Sequence, residues 1–124
     1  MSFNSNDLYL ATGSFDRTIK IISISSFELE HTFEAHTGSV RSIHFHPLAE
    51  YILISASADK TIKIWNSEEK SLIKTIENPS NYVKCIRFDH DGNSFYSCSY
   101  NKTLKQYNFN FFKEIQEQSL VLKN

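Results

Sequence analysis

The chain repeats itself. LATGSFDRTIKII (10–22), LISASADKTIKIW (53–65) and FYSCSYNKTLKQY (95–107) are variants of one phrase, beginning 43 and then 42 residues apart. A period near forty means that one supersecondary unit is reused, each copy packing on its neighbours instead of closing a core of its own. The fold is thereby restricted to a stack or ring of like units. The 124 residues hold about three of them.

The middle unit reads as four strands. Ser39 to His46 carries Val40, Ile43 and Phe45 and runs into Pro47, which cannot donate to a ladder. Tyr51-Ile52-Leu53-Ile54 is an unbroken apolar run followed by Ser55-Ala56-Ser57, the pattern of a strand covered on both faces. Ala58-Asp59-Lys60 is a tight turn, in which the Asp is expected to take the left-handed conformation. Thr61 to Trp65 alternates and is β-branched, and Leu72 to Ile76 supplies a shorter fourth strand.

The other units follow suit. Val83, Ile86 and Phe88 match Val40, Ile43 and Phe45, and Asp16, Asp59 and Asn101 share the turn position. Leu8–Ser14, Thr18–Ser23 and Leu29–Phe33 give three strands of the first unit, with Phe3 as the stub of its innermost one. None of these units shows helical periodicity over ten residues, so the core is all-β. The tail FFKEIQEQSLVLKN admits two readings: register makes Lys113 to Gln118 an outer strand, while Phe111, Ile115 and Leu122 also line a helical face. The strand is the reading taken.

These features resemble the WD-repeat family of β-propellers, whose blades are four-stranded sheets around an axis. Ala35-His36 stands where that family has Gly-His, and Trp65-Asn66 where it has Trp-Asp. The resemblance implies about three blades of an incomplete ring: 1–34 a partial blade, 35–77 a complete one, 78–124 a degenerate third. It also implies a hydrogen-bonded chain through His36, Ser55, Asp59 and Trp65, with His36 bridging Asp59 and Ser55, and Ser55 accepting from Trp65. A buried imidazole, hydroxyl and indole each need such a partner. The flanking units depart from the pattern. Ile22 replaces Trp in the first, and in the third Ser97, Asn101 and Tyr107 remain while Pro79 falls where His should be.

An open row leaves a blade face bare at each end. With about six to eight large apolar side chains per face at ~2 kcal/mol each, exposure forgoes on the order of 10–15 kcal/mol. Three closures are expected: further blades of a longer chain, self-association, or a partner's blades.

Little in the sequence suggests chemistry. His44-x-His46 lacks a third ligand at metal spacing, so these are ordinary strand side chains, and His31 and His90 read as solvated connector residues. No serine sits in a nucleophile elbow, and three glycines make no phosphate loop. Asn101-Lys102-Thr103 matches a glycosylation sequon but reads as a hairpin turn. No catalytic residue, metal or cofactor is expected. Net charge of −1 argues against nucleic acid, no run of about twenty apolar residues suggests a membrane span, and Cys85 and Cys98 without a leader point to reduced thiols in a cytoplasmic setting.

What remains is surface. In propellers of this family partners dock where the second-to-third-strand turns emerge, which marks Phe15, Ala58 and Tyr100 before or in the turns, and Arg41 and Lys84 after each opening Val. Exposed aromatic and cationic residues have the chemistry of binding hot spots. The expected function is a non-enzymatic scaffold for other proteins. His46-Pro47 with Glu50-Tyr51, Ser57-x-Asp59-Lys60-Thr61 and the His-less third unit resemble the last blades of katanin's WD-repeat subunit, which implies a microtubule-severing complex and a cytoskeletal address. The rivals are a substrate receptor of a cullin-based ubiquitin ligase and an RNA-processing scaffold. Such receptors often carry Arg or Lys three residues after the repeat Trp, where this chain has Glu68 and Ser25.

Overall fold

The structure, a computed structural model, describes residues 1–77, 82–100, 102–109 and, for the backbone alone, 121–123. The first sheet is β1 (Ser2–Phe3), β2 (Tyr9–Gly13), β3 (Thr18–Ser23) and β4 (Leu29–Glu34). The second is β5 (Val40–Phe45), β6 (Ile52–Ser57), β7 (Thr61–Asn66) and β8 (Ser71–Glu77). The third is β9 (Val83–Phe88), β10 (Ser94–Ser99), β11 (Leu104–Asn108) and β12 (Val121–Lys123). Each is a four-stranded antiparallel meander in chain order. No helix occurs among the described residues. Phe3 lies in β1, the edge strand of the first sheet, paired with Leu10.

Two apolar cores hold the row together. Ala11, Ile19, Ile21 and Phe33 of the first blade meet Ile43, Phe45, Leu53 and Trp65 of the second. The opposite face of the second blade, with Ile52, Ile54, Ala56, Ile62 and Ile64, meets Ile86, Phe88, Phe95 and Tyr107 of the third. All six residues of β6 are consequently buried, because its odd and even side chains serve different cores. The middle blade contributes to both cores and each outer blade to one, so the row is open at both ends.

Val121–Lys123 pairs with β11, and the strand expected over residues 113–118 lies outside the described residues, as do Asn101 and Pro79. Two expectations need correction. In the hairpin turns the left-handed residue is not the Asp but the basic residue after it: Arg17 (φ 75), Lys60 (φ 69) and Lys102 (φ 67). Each closes a turn by donating its N–H three residues back, to Ser14, Ser57 and Ser99, and so must turn left-handed to re-enter the next strand. The carboxylate instead binds the Thr that follows. Asp16 Oδ1 accepts from Thr18 and Asp59 Oδ1 from Thr61, each through both N–H and hydroxyl. Finally, His31 lies within β4, half-buried and edge-on to Phe33 at 4.4 Å, rather than in a solvated connector.

Candidate functional site

The middle blade contains a continuous polar chain. Trp65 Nε1–H donates to Ser55 Oγ at 2.9 Å, Ser55 Oγ lies 2.8 Å from His36 Nε2, and His36 Nδ1 lies 3.0 Å from Asp59 Oδ2. One proton arrangement satisfies every link. His36 is neutral with its proton on Nδ1, donates to the carboxylate, and accepts the Ser55 hydroxyl at Nε2. Burial is the main force pushing the His36 pKa down, with Lys63 adding to it, and Asp59 restores only part. The contact is therefore a hydrogen bond to a neutral ring rather than an ion pair. Asp59 itself feels desolvation first, but hydrogen bonds from Thr61 and His36 outweigh it and hold its carboxyl below the usual value. The same Oδ2 accepts the Thr37 N–H, so Asp59 ties β4's exit, the β6–β7 turn and β7 together.

Thr61 was not singled out from the sequence, although its hydroxyl reaches both Asp59 Oδ1 at 2.6 Å and His36 Nδ1 at 3.0 Å. The signal was present: Asp-x-Thr recurs at 16–18 and 59–61. In the third blade Ser97 is buried where Ser55 stands in the second, and among the described residues its hydroxyl has no hydrogen-bond partner. Burial pushes the Tyr107 phenol up and proximity to Ser97 draws it partly back, yet no bond of acceptable length and angle joins the two.

His44 and His46 stitch the second blade to the third. His44 Nδ1 accepts the Phe88 N–H at 3.1 Å. His46 Nδ1 accepts the Leu48 and Ala49 N–H groups, which leaves Nε2–H to donate to Gly92 O at 3.1 Å. Gly92 is held at φ +75, and a Cβ there would collide with the His46 ring. Burial is the largest influence on both imidazoles and pushes their pKa values down. Among the described residues no group of three or more His, Cys, Asp or Glu could hold a metal ion. Cys85 and Cys98 are directly opposite each other on β9 and β10.

The end of the row where β2–β3, β6–β7 and β10–β11 turn gathers the expected surface residues. Phe15 is 83% exposed with the Arg41 guanidinium 5.8 Å above its ring. Tyr100 is 50% exposed with Lys84 Nζ at 5.9 Å. Ala58, half-buried, sits between these two pairs along the chain's order of turns and donates its N–H to Ser39. A third pair joins these two: Lys60 Nζ stands 5.6 Å over Tyr82, which in turn meets Tyr100 edge-on at 6.4 Å. Tyr82 lies outside the repeated phrase, just before β9, so no repeat alignment marks it.

The sequence profile of the family described as WD domain, G-beta repeat (WD40) matches residues 1–23, 27–66 and 70–108. Similar relatives include a probable cytosolic iron-sulfur protein assembly protein 1 of Kluyveromyces lactis, 35% identical over 81% of this chain. The nuclear distribution protein nudF of Aspergillus terreus is 40% identical over 68% of the chain, and the WD repeat and SOCS box-containing protein 1 of Xenopus tropicalis 32% over 82%. The chain spans only 33%, 19% and 24% of the length of these relatives. A chain in the crystal structure of the mitotic checkpoint complex superposes with a TM-score of 0.84 at 18% identity, covering 98% of this chain and 36% of that one. Similarity at that identity concerns the fold alone. With three matched repeats, three four-stranded blades and a blade-crossing Trp–Ser–His–Asp chain, this protein belongs to the WD40 repeat family.

Proposed function

We propose that the protein is a non-enzymatic scaffold that recruits other proteins through the end of the row carrying Phe15, Arg41, Ala58, Lys84 and Tyr100. The observation that carries this reading is the set of large aromatic rings left exposed on that end, each topped by a cation. Buried in a partner, such rings contribute strongly because they add large apolar area at little conformational cost. Affinity capture from a cell extract, comparing wild type with Phe15→Ala/Tyr100→Ala, tests it. Loss of a defined set of captured proteins is expected, with the melting temperature unchanged. An identical set from both proteins would sink the reading.

The finer assignment, a katanin-like targeting subunit in the cytoplasm or on the cytoskeleton, is supported only by the motif likeness around His46-Pro47 and Ser57–Trp65. Co-sedimentation with microtubules tests it, and a chain left entirely in the supernatant counts against it. The relatives named above are of other kinds. The similarity to a SOCS box-containing WD-repeat protein favours a second reading, that of a substrate receptor.

A further inference from the structure

We propose that the partner segment received by this end is an acidic peptide with interspersed apolar side chains. The inference rests on the scaffold reading above and names the chemistry of its partner. Arg41, Lys60 and Lys84 are exposed, and each lies over an aromatic ring. A ring face holds a cation in place without consuming its N–H donors, so three sets of donors remain pointed outward.

Of the four carboxylates at this end, two are committed within the blades and two end the outermost strands. Asp16 binds Thr18 and lies 3.8 Å from Lys20. Asp59 serves His36, Thr37 and Thr61 inside the blade. Glu34 and Glu77 end the outermost strands at this same end, opposite Thr18 and Thr61, and are exposed. Among the described residues no carboxylate oxygen comes within 4.0 Å of Arg41, Lys60 or Lys84. The turns of this end add Arg17 and Lys102.

The opposite end has the reverse character. Its loops carry Asp7, Glu28, Glu50, Glu68, Glu69, Asp89 and Asp91 against Lys70 and are net acidic, whereas at the turn end five cations, Arg17, Arg41, Lys60, Lys84 and Lys102, stand against four carboxylates, Asp16, Asp59, Glu34 and Glu77. A divided field of this kind orients an incoming acidic ligand toward the cationic end and repels it from the other. The rings beneath the cations supply the apolar half of recognition. Tyr82 and Tyr100 form one edge-on pair, and Phe15 stands apart from it on the first blade. Ligands that match all three place carboxylates over the cations and apolar side chains beside the rings. Nucleic acid fits less well, because its continuous backbone charge meets only a short arc of cations before the acidic loops.

Fluorescence anisotropy of the full chain with two labelled peptides tests this. One alternates Glu and Leu and the other alternates Lys and Leu; a labelled poly-uridine oligonucleotide is the third probe. Binding is expected for the Glu/Leu peptide, weakening with added salt and falling at least roughly tenfold in Arg41→Glu/Lys84→Glu. The Lys/Leu peptide should not bind this end. Equal binding of the two peptides, no binding of the Glu/Leu peptide, or indifference to the charge reversal overturns the acidic chemistry. Tighter binding of the oligonucleotide overturns it in favour of nucleic acid. Circular dichroism melts exclude unfolding of the variants. The scaffold reading fails separately, through the captured proteins of Phe15→Ala/Tyr100→Ala.

Discussion

At the scale of single residues, Ser55 and Ser97 occupy matching places in successive blades under opposite circumstances. Ser55 accepts the Trp65 indole and donates to His36, whereas Ser97 is equally buried with no bonded partner among the described residues. Removing a satisfied hydroxyl strands its partners, while removing an orphan relieves a desolvation cost of about 1–3 kcal/mol. Ser55→Ala should therefore lower stability by about 2 kcal/mol or more, since both the indole N–H and a ring nitrogen lose their partner. Ser97→Ala should be neutral or stabilising. Thermal and urea melts of the two variants decide the matter, and equal destabilisation by both would contradict the difference in bonding. The four residues of the Trp–Ser–His–Asp chain were legible only through likeness to a family, because spacing alone cannot say which hydroxyl faces which ring. Thr61 and Tyr82 were missed for different reasons. Thr61 hid inside the repeated phrase as one more β-branched strand residue, and Tyr82 fell outside the phrase altogether.

At the scale of elements, strand order and register followed from the repeat, since a two-residue period fixes which side chains face which neighbour once one strand is placed. Turn chemistry was half read: the Asp was recognised, but its hydrogen bonds to Thr18 or Thr61 left the following basic residue to adopt the left-handed backbone. The joints between elements also carry a pH dependence. His36, His44 and His46 each use one ring nitrogen as an acceptor, and burial depresses the pKa of each below its ordinary value of 6.5. The groups facing them are Asp59 and Lys63 for His36, Arg87 for His44, and Asp89 and Asp91 for His46. A depressed histidine pKa means that the unfolded chain binds protons first as pH falls. The stabilisation is complete above about pH 7 and is lost progressively below the unfolded value, down to the lowered folded values. Melting temperature should be level between about pH 7.5 and 8.5 and fall by several degrees near pH 5.5. A flat profile across that range would mean that the rings are not neutral acceptors.

At the scale of the whole molecule, the open end of the third blade is less apolar than the repeat led one to expect. The second blade presents Ile52, Ile54, Ala56, Ile62 and Ile64 to its neighbour, all at most 2% exposed. By register the matching outward positions of the third blade are Ser94, Tyr96, Cys98, Leu104 and Gln106. Gln106 donates to Ser94, Arg87 is exposed on the same face, and among the described residues only Tyr96 and Leu104 are large apolar groups there. Leu104 is 69% exposed. At ~2 kcal/mol per large side chain, the described residues of this end forgo about 4 kcal/mol rather than the 10–15 inferred from an apolar blade face. The force driving association through this flank is correspondingly modest. The 124-residue chain should be monomeric when dilute and associate weakly as concentration rises, because about 4 kcal/mol barely offsets the cost of joining two molecules. Leu104→Lys should abolish that association in sedimentation velocity without lowering the melting temperature, since the side chain already lies in water. Tight oligomers at low concentration, or association indifferent to Leu104→Lys, would place the contact on the first blade instead, where Leu10 and Ile22 are half-buried on the opposite flank.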